Sequence, residues 1–237
     1  LEANFPQPVT LKFNRRQQIS DLVGPVVIIR SHGLACFSAG RMIVMEGIDE
    51  IFIENKLRHA IHLRRSLIDL GDTNALRLIH GESDGLPGLL VDQYDDVGVV
   101  QYLSTGPEYW RGIINKQLVE LTGIKLYERS DADVRKLEGL QMRVGPITDN
   151  PFPTELTIRE HGLKYKVNIQ TGHKTGFYLD QRSNRLLARH LAQSKDILDC
   201  FCYTGGFSLN VWVGNARSIF AIDESAEALA IFKENLQ

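Results

Sequence analysis

Between Ile197 and Leu236 the chain alternates twice between a short apolar run and a helical period. Ile197 to Phe201 and Ser218 to Ile222 read as strands, and Phe207 to Val213 and Ala226 to Leu236 read as helices. A helix between two strands carries the chain back to its starting end, so the strands must run parallel. Parallel sheets bury both faces and rarely stop at two strands, so this order predicts the opening of a doubly wound α/β sheet, incomplete as it stands.

The turn leaving the first of these strands is Cys200-Phe201-Cys202-Tyr203-Thr204-Gly205-Gly206-Phe207. Glycines let a backbone pass close to a ligand, and the N-terminus of the following helix offers unpaired N–H groups. The next strand ends at Asp223, where a carboxylate can accept hydrogen bonds from both hydroxyls of a ribose. Asp199, at the end of its own strand, either joins the site or only orients the turn. On shape alone two readings stay open: a nucleoside-cofactor site, or one of the many α/β turns that are merely rich in glycine. A dinucleotide site is a weaker rival, because Gly205 and Gly206 are adjacent and the Gly-x-Gly-x-x-Gly fingerprint is missing.

A second dense stretch, Gln170 to Arg182 (QTGHKTGFYLDQR), directly precedes a predicted helix over Asp180 to Gln193, with Leu186, Leu187 and Leu191 turned inward. It superficially resembles a phosphate loop. The order is broken, since Lys174 follows Gly172 by two residues and Gly176 comes after it, which excludes an ATPase.

The remainder divides into two regions. Residues 1–47 read as a small β module, with Val26 to Ile29, Leu34 to Phe37 and Met42 to Met45 as short strands. Residues 48–150 read as an α+β domain. Asp49 caps a helix carrying Ile53, Leu57, Ala60, Ile61, Leu67 and Ile68 inward, with Lys56, Arg58, His62 and Arg65 on the opposite face. That basic face is either simply solvated or a place of RNA contact. Strands follow at Leu76 to His80, Leu89 to Asp92, Val97 to Leu103 and Ile124 to Glu128. A helix begins near Pro107, carries Tyr109, Ile113, Ile114, Leu118 and Leu121 as its stripe, and stops at Gly123. Asn150-Pro151-Phe152-Pro153 is the linker into residues 151–237, which open with a hairpin turning at His161-Gly162.

Composition narrows the classes. With 43% hydrophobic and 24% charged residues the chain can bury a core, and no apolar run approaches the roughly 20 residues of a membrane span. Three cysteines, Cys36, Cys200 and Cys202, provide neither a disulfide framework nor a zinc site, and a reducing, cytoplasmic setting is expected. A formal net charge of −2 argues against capture of nucleic acid by the whole molecule while leaving a local basic face open. The first residue is Leu1 rather than Met, so a segment upstream is expected.

Four segments, Gly81 to Gly88 (GESDGLPG), Glu128 to Gly139 (ERSDADVRKLEG), Gln170 to Arg182 and Cys200 to Phe207 (CFCYTGGF), resemble, in this order, the bacterial 23S ribosomal RNA (cytosine-5) methyltransferase family. The resemblance covers residues from about 48 to the end; residues 1–47 resemble its PUA module only faintly. It implies a multidomain α/β and α+β protein: a degenerate PUA-like module, a central α+β domain and the first part of a Rossmann-like methyltransferase domain. It further implies S-adenosyl-L-methionine as cofactor and large-subunit ribosomal RNA as partner, with no membrane and no metal. Tyr203, Gly205 and Gly206 would border the cofactor's methionine, Asp223 would hold its ribose, and Lys174, Tyr178 and Gln181 would line the same pocket. Arg129, Asp131 and Arg135 are expected to link domains. In that family the catalytic cysteine and an Asp-Pro-Pro segment follow the position of Gln237, so no catalytic residue is assigned here and the chain alone is expected not to methylate RNA. Cys200 and Cys202 read as packing residues. The rival expectation is a non-catalytic RNA-binding or interaction module, and an uncovered helix face at Ala226, Leu229, Ala230 and Leu236 leaves room for a homodimer.

Overall fold

The computed structural model describes residues 26–30, 33–38, 41–44, 48–148 and 152–237. The chain separates into a unit Leu1–Phe52 and a unit Ile53–Gln237. In the first, β1 (Val26–Arg30), β2 (Gly33–Ser38) and β3 (Arg41–Val44) form an antiparallel sheet in that order. These are the strands expected there; the rest of the PUA-like reading, and Asn150-Pro151 of the linker, lie outside the described residues.

Helix α1 (Glu50–Leu67) starts as its sequence requires, with the Phe52 N–H donating to Asp49 Oδ1 at 2.8 Å. It buries Ile53, Leu57, Ala60 and Ile61, whereas Leu67 lies exposed at its last turn. A five-stranded sheet follows, built from β4 (Ala75–His80), β5 (Leu89–Tyr94), β6 (Val97–Tyr102), β7 (Lys125–Ser130) and β8 (Arg143–Pro146), in that spatial order. Only β6 and β7 pair in parallel, and α2 (Thr105–Tyr109) and α3 (Arg111–Thr122) make the crossover between them. The single helix expected here is broken at Trp110, and Tyr109 is exposed rather than part of the stripe. Gly123 ends α3 with φ +71°, the left-handed stop that glycine supplies without strain. The short α4 (Val134–Leu137) places Arg135 inside, where it donates to the carbonyls of Tyr102 and Gln141 and pairs with Glu108 at 2.9 Å. Of the expected linking cluster, Arg135 therefore serves this sheet's own end. Arg129, from β7, crosses to the carbonyls of Ile169 at 2.9 Å and Gly172 at 3.2 Å, and also bonds Asp131.

Antiparallel β9 (Glu155–Glu160) and β10 (Leu163–Asn168) turn at His161-Gly162. Helix α5 (Arg182–Leu191) is followed by β11 (Asp196–Cys200), α6 (Gly206–Val213), β12 (Ser218–Ile222) and α7 (Ala226–Asn235), with β11 and β12 parallel as expected. Leu198 and Phe220 project from this pair uncovered among the described residues. One core nevertheless runs across the linker: Tyr94, Val97, Val99 and Tyr127 pack with Ile158, Tyr165, Val167, Phe177 and Leu209.

Of the three leucines expected to face inward on α5, Leu186 is half-buried and the other two are not inward. Leu187 and Leu191 are 56% and 66% exposed, while Arg185 is 1% exposed. The helix is rotated by its arginines. Arg185 Nε and Nη2 each donate to the Glu160 carboxylate at 2.7 Å, and Arg189 donates to the His161 carbonyl and to Asn210 Oδ1. Glu160 is itself 1% exposed and forms the β-bridge to Thr73 that joins the hairpin to the lead-in of β4. A buried carboxylate needs its partners, and a paired guanidinium outweighs two leucines. Removing one member of such a pair costs about 3–5 kcal/mol. Arg185→Met is therefore expected to lower urea-denaturation stability by about that amount; a loss below ~1 kcal/mol contradicts this role for the pair.

Candidate functional site

The parallel strands end side by side, and the turn after β11 is tied to the end of β12 through one carboxylate. Asp223 Oδ2 accepts the Tyr203 N–H at 2.8 Å and Oδ1 accepts the Ser225 N–H at 2.9 Å. A carboxylate offers about four lone-pair positions, so two backbone donors leave acceptor capacity on the partly exposed Asp223. Ser225 then caps α7 by accepting the Ala228 N–H at 3.1 Å.

The turn itself is backbone under constraint. Phe201, Tyr203 and Gly205 have φ of +63°, +51° and +81°, and the first two pay about 1 kcal/mol or more each for that conformation. Gly205 is required for two reasons: its positive φ, and the Phe232 ring from α7, which occupies the place of a Cβ. Its α7 side is thus closed, and packing rather than ligand approach explains this glycine. A Cβ on Gly206 would lie 3.3 Å from Arg185 Cδ and 3.4 Å from Phe177 Cζ, so that residue is fitted against α5 and the preceding loop. Between them in character sits Thr204, whose Oγ1 is buried without a hydrogen-bond partner among the described residues. Such an orphan costs about 1–3 kcal/mol and marks the turn as shaped by more than stability. Asp199 accepts from Ser208 Oγ at 2.6 Å, which orients the start of α6. Burial, with Asp199 and Asp223 nearby, pushes the Cys202 thiol up to about 11, so it is protonated at neutral pH. Cys200 is exposed.

Against this turn stands the loop 170–181. The ring of His173 stacks on Tyr203 with centroids 4.6 Å apart and planes 14° from parallel, and Tyr178 meets Tyr203 edge-on at 5.6 Å. The His173 N–H donates to Tyr203 Oη at 3.0 Å, Tyr203 Oη donates to the Gly176 carbonyl at 3.3 Å, and His173 Nδ1 lies 3.2 Å from Tyr178 Oη. Burial raises the Tyr203 phenol above its usual value. Lys174, at φ +56°, sits over the Tyr178 ring at 4.7 Å and pairs with Asp180 at 3.1 Å. Burial opposes ionisation of Asp180, but hydrogen bonds from Lys174 and Gln181 and the lysine charge outweigh it and hold the carboxyl below its usual range. Gln181 donates to Asp180 Oδ2 at 3.3 Å and accepts from Asn184 at 2.9 Å.

All seven residues singled out from the sequence thus belong to one connected patch: Lys174, Tyr178 and Gln181 meet around Asp180, Tyr178 touches Tyr203, and Tyr203 leads to Asp223 and the glycines. His173 and Asp180 belong to it as well and were not singled out. Asp180 had a visible signal, its place between Tyr178 and Gln181 in the motif; of the partners of His173, Tyr178 is five residues on, but the stacked Tyr203 is thirty residues away. The patch is open. A cleft of about 690 Å³ lies beside it, lined by Leu63, Arg64, Leu76, Arg77, His80, Leu179, Asp180 and Arg182 among others, but by none of Tyr203, Gly205, Gly206 or Asp223. The described residues contain no cluster of metal-ligating side chains and no helix long and apolar enough to cross a membrane.

Comparison with known proteins fits this geometry. Residues 141–237 match the model of the S-adenosylmethionine-dependent methyltransferase family, and S-adenosylmethionine is the cofactor that this match specifies. The chain is similar to proteins named ribosomal RNA large subunit methyltransferase I, with 46% identity over 192 residues to that of Alteromonas mediterranea and 44% over 193 residues to that of Klebsiella pneumoniae. Each alignment covers 81% of this chain and 48% of the relative, so the chain spans about half the length of the curated relatives it matches. Among solved structures, a Streptococcus mutans protein described as a SAM-dependent methyltransferase superposes with a TM-score of 0.71 at 20% identity, covering 86% of this chain and 55% of its own. A methyltransferase structure complexed with SAH matches with the same score and identity, covering 54% of its own chain. At that identity the likeness is one of fold: a mixed α/β, Rossmann-like methyltransferase architecture.

Gly205→Ala has to move Phe232 and hold a positive φ, and it is expected to destabilise the chain by about 2–4 kcal/mol. Gly206→Ala, with only moderate contacts to meet, is expected to cost under ~1.5 kcal/mol. Thermal melts of the two variants check the order; equal losses contradict the closed face at Gly205.

Proposed function

We propose that this chain is the cofactor-binding part of an S-adenosylmethionine-dependent methyltransferase that modifies large-subunit ribosomal RNA, with carbon 5 of a cytosine as the target. In this reading residues 151–237 are the cofactor domain and residues 48–150 the central domain. Asp223 holds the ribose, Tyr203, Gly205 and Gly206 border the methionine, and Lys174, Tyr178 and Gln181 complete the pocket. The observation that carries the reading is Asp223: a carboxylate at the tip of a parallel strand, fixed by two backbone N–H groups and still able to accept two more bonds.

S-adenosylmethionine supplies an electrophilic methyl group on a sulfonium centre. This chain's residues bind and orient. Lys174 and His173 already cover one face each of Tyr178 and Tyr203; the opposite faces, negative in their quadrupole, suit a cationic or planar group. Asp180 neutralises Lys174, so the ammonium does not repel a positive ligand beside it. Methylation of a cytosine carbon needs a thiolate that adds to the ring and makes the neighbouring carbon nucleophilic. Cys202 is not that thiolate, being protonated and walled in beneath the turn.

Isothermal titration calorimetry tests the proposal. The chain is expected to bind SAH, and Asp223→Asn to weaken binding by about tenfold or more, the value of one or two hydrogen bonds to a charged group. RNA binding by a folded chain with no affinity for SAH or S-adenosylmethionine contradicts the proposal and favours a non-catalytic interaction module.

A further inference from the structure

The loop that carries His173, Lys174 and Tyr178 is held from beneath by the central sheet, through a chain of buried polar groups. Asp92 and Tyr94 lie on β5, 83 and 81 positions before Thr175, and are 1% and 0% exposed; Thr175 is 0% exposed. Asp92 receives both Arg77 Nε at 2.8 Å and Arg77 Nη2 at 2.9 Å, a bidentate pair. The pairing holds the Arg77 guanidinium above its usual range. Thr175 Oγ1 lies 2.6 Å from Asp92 Oδ2. A carboxylate so paired only accepts, so the threonine hydroxyl proton is committed to it. Thr175 Oγ1 is also 2.8 Å from Tyr94 Oη, and with its own proton spent it accepts there, which fixes the direction of the tyrosine O–H. Tyr94 Oη in turn accepts the Phe177 N–H at 3.1 Å, with the Phe177 carbonyl at 3.3 Å as a weaker neighbour. The shortest contacts run in one direction: Phe177 N–H to Tyr94, Tyr94 to Thr175, Thr175 to Asp92.

We propose that Asp92, Tyr94 and Thr175 are positioning residues for the cofactor pocket: they set the height and register of the loop so that His173 and Tyr178 meet Tyr203. The inference rests on the cofactor reading above and extends it to residues that touch no ligand. The buried Phe177 ring and the bond from Arg185 Nη1 to the Tyr178 carbonyl at 2.8 Å also hold the loop, and the polar chain adds direction to that packing. Gly176 takes φ +142°, a conformation without intrinsic preference for one loop shape, and the segment between Lys174 and Phe177 contains no helix or strand. Its upstream end is pinned separately, by Arg129 on the carbonyls of Ile169 and Gly172. A purely apolar contact could be satisfied in several registers. Directed hydrogen bonds in a dry interior accept one, since a shifted loop leaves a buried carboxylate or phenol unpaired.

Thr175→Val keeps the shape and deletes the hydroxyl; Thr175→Ser keeps the hydroxyl and deletes a methyl. By calorimetry at a temperature where all variants are folded, Thr175→Val and Tyr94→Phe are expected to weaken SAH binding by about tenfold, and Thr175→Ser by no more than about twofold. Hydrogen exchange is expected to quicken at the amides of residues 173–178 in Thr175→Val and Tyr94→Phe while β5 and β6 stay protected. Wild-type affinity in Thr175→Val overturns the positioning role, as does faster exchange spread through the whole sheet, which marks a general loss of stability. A wild-type chain that fails to bind SAH overturns the cofactor reading and this one with it; wild-type binding with an indifferent Thr175→Val overturns this one alone.

Discussion

Glu160 is the constraint on which the rest of the structure depends. Its carboxylate is buried at the end of β9, where an unpaired charge would cost several kcal/mol, and Arg185 meets it with two parallel hydrogen bonds while Arg182 approaches at 3.4 Å. That demand turns α5 so that Arg185 faces inward while Leu187 and Leu191 face out. Arg182 also donates to the Ala75 carbonyl at the start of β4, and Glu160 bridges to Thr73. One acidic side chain therefore ties together the five-stranded sheet, the hairpin and the helix that leads into the parallel strands. Arg185 continues the connection, its guanidinium lying over the Phe177 ring at 4.6 Å and its Cδ beside Gly206.

From that junction two paths reach the candidate site. Through α5 the position of the glycine turn is set relative to the hairpin. Through β5 the polar chain from Asp92 to Phe177 sets the loop that faces the turn. The stacked pair His173 and Tyr203 is where the paths meet, and Asp223 locks the turn from the far side with two backbone bonds. The arrangement spends backbone strain at Phe201, Tyr203 and Lys174 and leaves Thr204 Oγ1 unpaired. Similar left-handed residues occur away from the site at Asp95, His161, Ser194 and Asn215, so strain alone does not single the patch out.

Much of this was legible in the sequence because it is local. Alternating apolar periods placed β11, α6, β12 and α7 within a residue or two, Asp49 and Gly123 announced helix ends, and His161-Gly162 announced a hairpin. What was not legible depends on partners far along the chain. The leucines of α5 read as its inner face because no local rule says that Glu160, more than twenty positions earlier, will claim Arg185. Strand β8 was missed because Arg143–Pro146 is mostly exposed and carries no apolar alternation. Gly205 was recognised as special, but for ligand approach; Phe232, from the last helix, supplies the nearer reason. At the site, the seven residues chosen by motif fall into one patch, whereas His173, Asp92 and Thr175 carried no signal of their own.

Nuclear magnetic resonance titration of the isotope-labelled chain with SAH is the most direct measurement. Amide shifts are expected to concentrate at residues 172–178, 203–206 and 223–225, with those of Tyr203 and Ser225 moving because their N–H groups share the Asp223 carboxylate with the ligand. Shifts confined to the cleft beside Arg77, His80 and Arg182, or no shifts at saturating SAH, contradict the placement of the cofactor at the tip of the parallel strands.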